Sequence, residues 1–110
     1  MPKNKRKIAV LVINRANYGR LKPVLQAINE HPDLELQLIV GSAMLLYRFG
    51  NDVDYIERDG FKIAAKINMI VEGGTPATMA QSAGVGLMSL PPILEQLQPD
   101  IFLVNADRFE

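Results

Sequence analysis

The sequence predicts an α/β fold: a parallel sheet with helices on both faces. Three observations predict it. Four short apolar runs recur along the 110 residues, and helical patterns separate them. The first run, Ile8–Ile13, is apolar at every position and rich in β-branched residues, as a strand covered on both faces must be. Pro32, Gly41, Gly60, Pro76 and Pro99 fall at joints between strand and helix patterns.

Lys7–Ile13 reads as the first, buried strand. The polar stretch Asn14–Leu21, NRANYGRL, follows it as a turn leading into a helix over Tyr18–His31. Leu21, Val24, Leu25 and Ile28 form that helix's apolar stripe, with Pro23 near its start and Pro32 closing it. Leu34–Val40 is a second strand ending in a turn at Gly41 and Ser42. Ala43–Tyr47 begins a helical turn that Gly50 and Asn51 interrupt. Asp52–Asp59 is a short helix with Val53 and Ile56 inward, and Gly60 suits its left-handed terminus. Phe61–Ile67 is a third, more polar strand, placed near an edge. After the loop Val71–Pro76, Thr75 serves as N-cap and Pro76 as first helical residue of a long helix reaching Leu97. Met79, Ala83, Gly86, Leu87 and Leu90 form its predicted stripe. Pro91 and Pro92 are expected to kink or briefly break it. Ile101–Val104 is the fourth strand, and NADRFE follows.

Right-handed crossovers then give the strand order 3-2-1-4. In that order strands 1 and 4 are neighbours. Their carboxyl ends flank the topological switch point, so NRANYGRL and NADRFE lie side by side although more than 80 residues apart.

Composition excludes several classes of function. Twelve basic and twelve acidic residues balance, so no net field recruits nucleic acid or an anionic membrane. With no cysteine there is no disulfide or thiol chemistry, which fits a cytoplasmic location. The single histidine, His31, cannot build a zinc site and sits at a helix end, so no metal is expected. No apolar run approaches the ~18 residues of a membrane span. The basic start, Lys3, Lys5, Arg6 and Lys7, reads as a solvated tail rather than a signal peptide.

The chemistry concentrates at strand ends. A helix amino terminus after a strand binds anions, and Arg15 and Arg20 add positive charge there. The alternative is a solvated turn. No glycine-rich dinucleotide fingerprint or Walker A loop is present, and Gly84–Gly86 reads as helix packing. Asp107 can move a proton and Arg108 can hold a phosphate, or the two can form an ordinary surface pair. Gly41 and Ser42 close strand 2 in the same crevice. Tyr18 can stack on a base or serve as a packing residue.

With these residues placed, the chain resembles the amino-terminal part of the UDP-N-acetylglucosamine 2-epimerase family, especially its hydrolysing branch in sialic and legionaminic acid synthesis. Four stretches carry the resemblance: NRANYGRLKPVL, GSAMLLYRFGN, IERDGF and LPPILEQLQPDIFLVNADRFE, in family order along the whole chain. The resemblance implies a Rossmann-like domain, residues 1–110 forming the first half of the amino-terminal domain of a two-domain GT-B fold. The second domain and further site residues would lie outside the sequence, leaving a fragment expected to be inactive alone. It implies that Arg15, Gly19 and Arg108 bind UDP and that Asp107 is catalytic. Arg20, Gly41 and Ser42 complete the nearby crevice. It further implies a UDP-sugar as substrate, no cofactor, no nucleic-acid or membrane partner, and a homo-oligomer at full length. Two departures stand out: Ala106 replaces the glycine of the family's GDR motif, and Ala43 replaces a histidine of many relatives. A non-catalytic nucleotide-binding α/β module and a GT-B glycosyltransferase half are the alternatives. A free sheet edge and an apolar patch are expected on this stretch of chain, with self-association or marginal stability.

Overall fold

A computed structural model of the chain describes residues 5–13, 15–41, 53–67 and 74–105. The element order is β1 (Arg6–Val12), α1 (Arg15–Glu30), β2 (Leu34–Gly41), α2 (Val53–Arg58), β3 (Ile63–Ile67), α3 (Pro76–Leu97) and β4 (Ile101–Leu103). The strands form one parallel sheet in the order β3-β2-β1-β4, as the crossover rule requires. β1 pairs with β2 from Arg6↔Leu34 to Val12↔Val40. Its ladder with β4 is shorter, running from Ile8↔Ile101 to Val10↔Leu103. At the amino ends of these two strands, the Lys7 amide donates to Asp100 Oδ2 at 2.7 Å, and the Asp100 amide donates to the Lys7 carbonyl at 2.8 Å.

Alternation along the strands divides the core into two layers. Val10, Val12, Leu38 and Val40 face α1 and α2, meeting Tyr18, Leu21, Leu25, Ile28, Ile56 and Phe61. Ala9 and Ile39 face α3, packed by Val85, Leu90, Ile93, Leu94 and Leu97. Leu25 is fully buried, so Leu25→Ala removes ~2–5 kcal/mol of stability at a site of this kind. A register shift between Leu38↔Ile63 and Ile39↔Ala65 places two residues of β3 against one of β2. This bulge changes which face β3 serves. Ile63 packs in the α1 layer, whereas Ala65 and Ile67 pack in the α3 layer.

The helices depart from expectation in three ways. α1 begins at Arg15 rather than Tyr18, so most of NRANYGRL is helix and Pro23 lies inside it. Pro23 has no N–H to give the Gly19 carbonyl, but both residues are exposed, where water can satisfy that oxygen. α3 runs unbroken through Pro91 and Pro92, which lie on its exposed side. The carbonyls they cannot serve belong to Leu87 and Met88, also exposed. Finally, Leu87 and Met79 point outward. The inward stripe keeps the predicted Gly86 and Leu90 and adds Ser82, Val85, Ile93 and Leu94.

Caps and turns follow the sequence closely. Thr75 accepts from the Thr78 amide at 3.1 Å, and Thr78 Oγ1 accepts from the Thr75 amide at 2.8 Å, a reciprocal capping box. Gly60 adopts φ 91° after α2, the left-handed geometry a glycine permits at low cost. α3 ends at Gln98, φ 48°, whose amide donates to the Leu94 carbonyl at 2.8 Å. Gln37, buried on β2, donates through Nε2 to the Leu97 carbonyl at 2.9 Å. Among the described residues, no helix is long and apolar enough to cross a membrane. The predicted helical turn over 43–47 lies outside the described residues.

Candidate functional site

The site is built where the strand order reverses. The chain runs outward from β1 through β2 to β3, then returns to β4 on the other side of β1. In open parallel sheets, ligands bind outside the carboxyl ends of the strands at such a point. Here that point lies between the ends of β1 and β4.

α1 supplies one wall. It starts directly after β1, with Arg15 as its first residue and no acidic residue in its first turn. The first-turn N–H groups of a helix lack acceptors within it, and the dipole makes that end positive. The other helix starts differ: Asp54 lies in the first turn of α2, and Thr75 and Thr78 cap α3. The amino end of α1 is therefore the helix terminus best suited to an anion.

Asn17, 4% exposed, joins the two strand ends. Its Oδ1 accepts from the Ile13 amide at 3.1 Å, just past β1. Its Nδ2 donates to the carbonyl of Asn105, just past β4. The inferred meeting of NRANYGRL with NADRFE is thus observed as a hydrogen bond across 88 positions of sequence. The sequence pattern places Asn17 in a turn, which hides its role. The available signal was a polar residue one helical turn ahead of the apolar Leu21, on the face turned to the core.

Below this point Tyr18 anchors α1. Its ring is buried and meets Phe61 edge to face, with centroids 6.4 Å apart. Its hydroxyl donates to Asp59 Oδ2 at 2.5 Å, and Lys22 Nζ approaches the same oxygen at 3.1 Å. Burial pushes the Tyr18 phenol up, reinforced by the hydrogen bond to Asp59 and its charge. The hydrogen bond from Tyr18, then that from Lys22, holds the Asp59 carboxyl below its ordinary range. Of the two roles open to Tyr18, the structure supports packing.

The remaining predicted residues divide clearly. Gly19 and Arg20 lie on the exposed side of α1, and a Cβ at Gly19 would meet nothing within 4 Å. Gly41 is the buried last residue of β2, paired with Ile67. Ser42, Asp107 and Arg108 lie outside the described residues, as do Ala43 and Ala106. His31 sits at the opposite end of the sheet, where its Nδ1 accepts from the Asp33 amide at 3.0 Å in the α1–β2 turn. Among the described residues, no group of histidine and acidic side chains could hold a metal.

A parallel sheet whose strand order reverses at β1, with α1 starting beside the reversal, defines a Rossmann-like α/β architecture. Comparison with known proteins makes this more specific. No protein-family model matches the chain. The chain is 30% identical over 105 residues to the hydrolysing UDP-N,N'-diacetylbacillosamine 2-epimerase of Legionella pneumophila. It is 27% identical over 105 residues to the UDP-N-acetylglucosamine 2-epimerase of Neisseria meningitidis serogroup B. Each match covers 96% of this chain but only 28% and 27% of the relative. Among solved structures, the Neisseria meningitidis UDP-GlcNAc 2-epimerase bound to UDP-GlcNAc superposes with TM-score 0.75 at 16% identity. It is covered over 26% of its length and this chain over 94%. Another UDP-N-acetylglucosamine 2-epimerase gives TM-score 0.78 at 19% identity, with 96% of this chain and 28% of that one covered. The chain is thus homologous to the amino-terminal part of the UDP-N-acetylglucosamine 2-epimerase family, and it shares that part's fold. It spans little more than a quarter of those relatives' length.

Proposed function

We propose that this chain forms one wall of the active site of a hydrolysing UDP-sugar 2-epimerase, as part of its amino-terminal Rossmann-like domain. The observation that carries the reading is the joining of the β1 and β4 ends at the open terminus of α1. That junction puts the Arg15 terminus beside the strand from which Asp107 and Arg108 follow in sequence.

In the proposed reaction, UDP leaves C1 as the C2 proton is removed, giving a glycal. Water then adds across the double bond, and the free sugar emerges epimerised at C2. Arg15, Arg108 and the first-turn N–H groups of α1 stabilise the leaving diphosphate. Asp107 moves a proton to or from the sugar. Gly19 keeps the helix surface low beside the phosphates, while Arg20, Gly41 and Ser42 border the crevice. No step calls for a metal or cofactor. UDP-N-acetylglucosamine is the first substrate. A diacetamido-trideoxy UDP-sugar is the second reading, favoured by the name of the Legionella relative. The intact enzyme would be a cytoplasmic homo-oligomer acting on its nucleotide sugar without nucleic-acid or membrane partners. The 110 residues alone would bind weakly and not turn over.

Isothermal calorimetry with UDP tests the assignment. Arg15→Ala should weaken binding about tenfold or more, as expected for loss of a charge-assisted phosphate contact. Unchanged affinity in that variant would overturn the phosphate role of Arg15.

A further inference from the structure

We propose that Asn17 is a positioning residue of this site, coupling its two walls through one side-chain amide; the inference rests on the UDP-site reading above. The β1–β4 ladder ends at Val10↔Leu103. Beyond it both strands continue toward the site, Leu11–Ile13 on one side and Val104–Asn105 on the other. The Asn17 amide bridges the two backbones there, accepting from Ile13 and donating to Asn105. It works as an additional rung placed where ladder pairing has stopped.

The type and place of the residue suit this task. An amide has one acceptor and one donor group at a fixed separation, so it can bind an N–H on one strand and a C=O on the other simultaneously. Asn17 is 4% exposed, so its bond to Ile13 is buried and its bond to Asn105 partly so, which limits competition from water. Asn17 also lies two residues after Arg15 on the first turn of α1. One residue therefore links the helix terminus, the end of β1 and the end of β4. Asp107 and Arg108 follow Asn105 by two and three residues. A shift of that strand end would move their starting point relative to Arg15, and misplacements on an ångström scale cost large factors at a binding or catalytic site.

The test is a double-mutant cycle on UDP affinity, read by calorimetry on the protein, Asn17→Ala and Arg108→Ala, with the Asn105 carbonyl carbon followed by NMR. Asn17→Ala should weaken UDP about tenfold. In the Arg108→Ala background the same change should have little further effect, because the contact it positions is already gone. A residue that merely stabilises the fold would give the same loss in both backgrounds, and equal losses would overturn the proposal. So would unchanged affinity in Asn17→Ala. The Asn105 carbonyl resonance should move upfield in Asn17→Ala without ligand, and an unmoved resonance would overturn the coupling itself. If the unsubstituted protein binds no UDP, the UDP-site reading fails. The NMR arm then still decides whether Asn17 holds the strand ends together.

Discussion

Tyr18 shows how one residue can serve packing and electrostatics at once. Its ring fills the α1 layer, and its hydroxyl reaches Asp59 in the turn that Gly60 closes. The Lys22–Asp59 pair is partly open to solvent and adds little alone. Tyr18→Phe keeps the ring against Phe61 and should lower the melting midpoint by a few degrees. The loss should depend on pH on both sides. The Asp59 carboxyl is held below its ordinary 3.8, so its contribution is complete above that value and disappears as pH falls through the folded-state value. The Tyr18 phenol is raised above its ordinary 10.0, so its contribution is present below pH 10 and is lost as pH rises further. Melts of both proteins should differ most between about pH 5 and 9 and converge at lower pH. A constant difference down to about pH 2 would contradict the linkage. Gly19 gives the complementary case. A Cβ there meets no neighbour, and alanine favours helix, so Gly19→Ala should stabilise the chain by ~0.5–1 kcal/mol. If phosphates approach that backbone, the same methyl group should weaken UDP binding. A gain in stability with unchanged UDP affinity would remove Gly19 from the site.

At the level of elements, α3 is the most informative. Its single charged residue is Glu95, and Leu87 and Met88 are 71% and 80% exposed beside the exposed Pro91 and Pro92. On the sheet edge β4 exposes Ile101 at 44%, with Val104 at 56% just beyond it. Such surfaces favour association. The chain should self-associate at high concentration in analytical ultracentrifugation, and the Leu87→Lys, Met88→Lys double variant should do so less. The double variant should change stability by no more than ~1 kcal/mol, since neither side chain is in the core. A native chain that stays monomeric with a sharp melt would contradict this. The same helix marks where sequence periodicity fails. Its outward face carries Met79, Leu87 and Met88 beside its polar residues, so apolar spacing alone put Leu87 and Met79 in the stripe although both are exposed. Pro23, Pro91 and Pro92 misled for a related reason. Proline disrupts a helix through one lost bond and one clash, and exposure to water relieves the first.

For the whole molecule, strand order was legible because handedness leaves few choices once four strands alternate with helices. The bulge in β3 was not, since Ile63 and Ala65 read as one face until two residues are seen opposite one. The switch point was legible as a place, and the meeting of the β1 and β4 ends followed from topology. The Asn17 bridge was hidden by starting α1 three residues late, which turned a helical side chain into an anonymous turn residue. Similarity to the amino-terminal part of UDP-N-acetylglucosamine 2-epimerases agrees with that fold. The most direct measurement is an amide NMR map of the protein titrated with UDP. Shifts should concentrate at Ile13, Ala16–Arg20, Gly41 and Val104–Asn105, leaving His31–Leu34 and the Lys7–Asp100 pair at the far end of the sheet unmoved. Shifts confined to that far end, or none at saturating UDP, would contradict a nucleotide site at the β1–β4 junction.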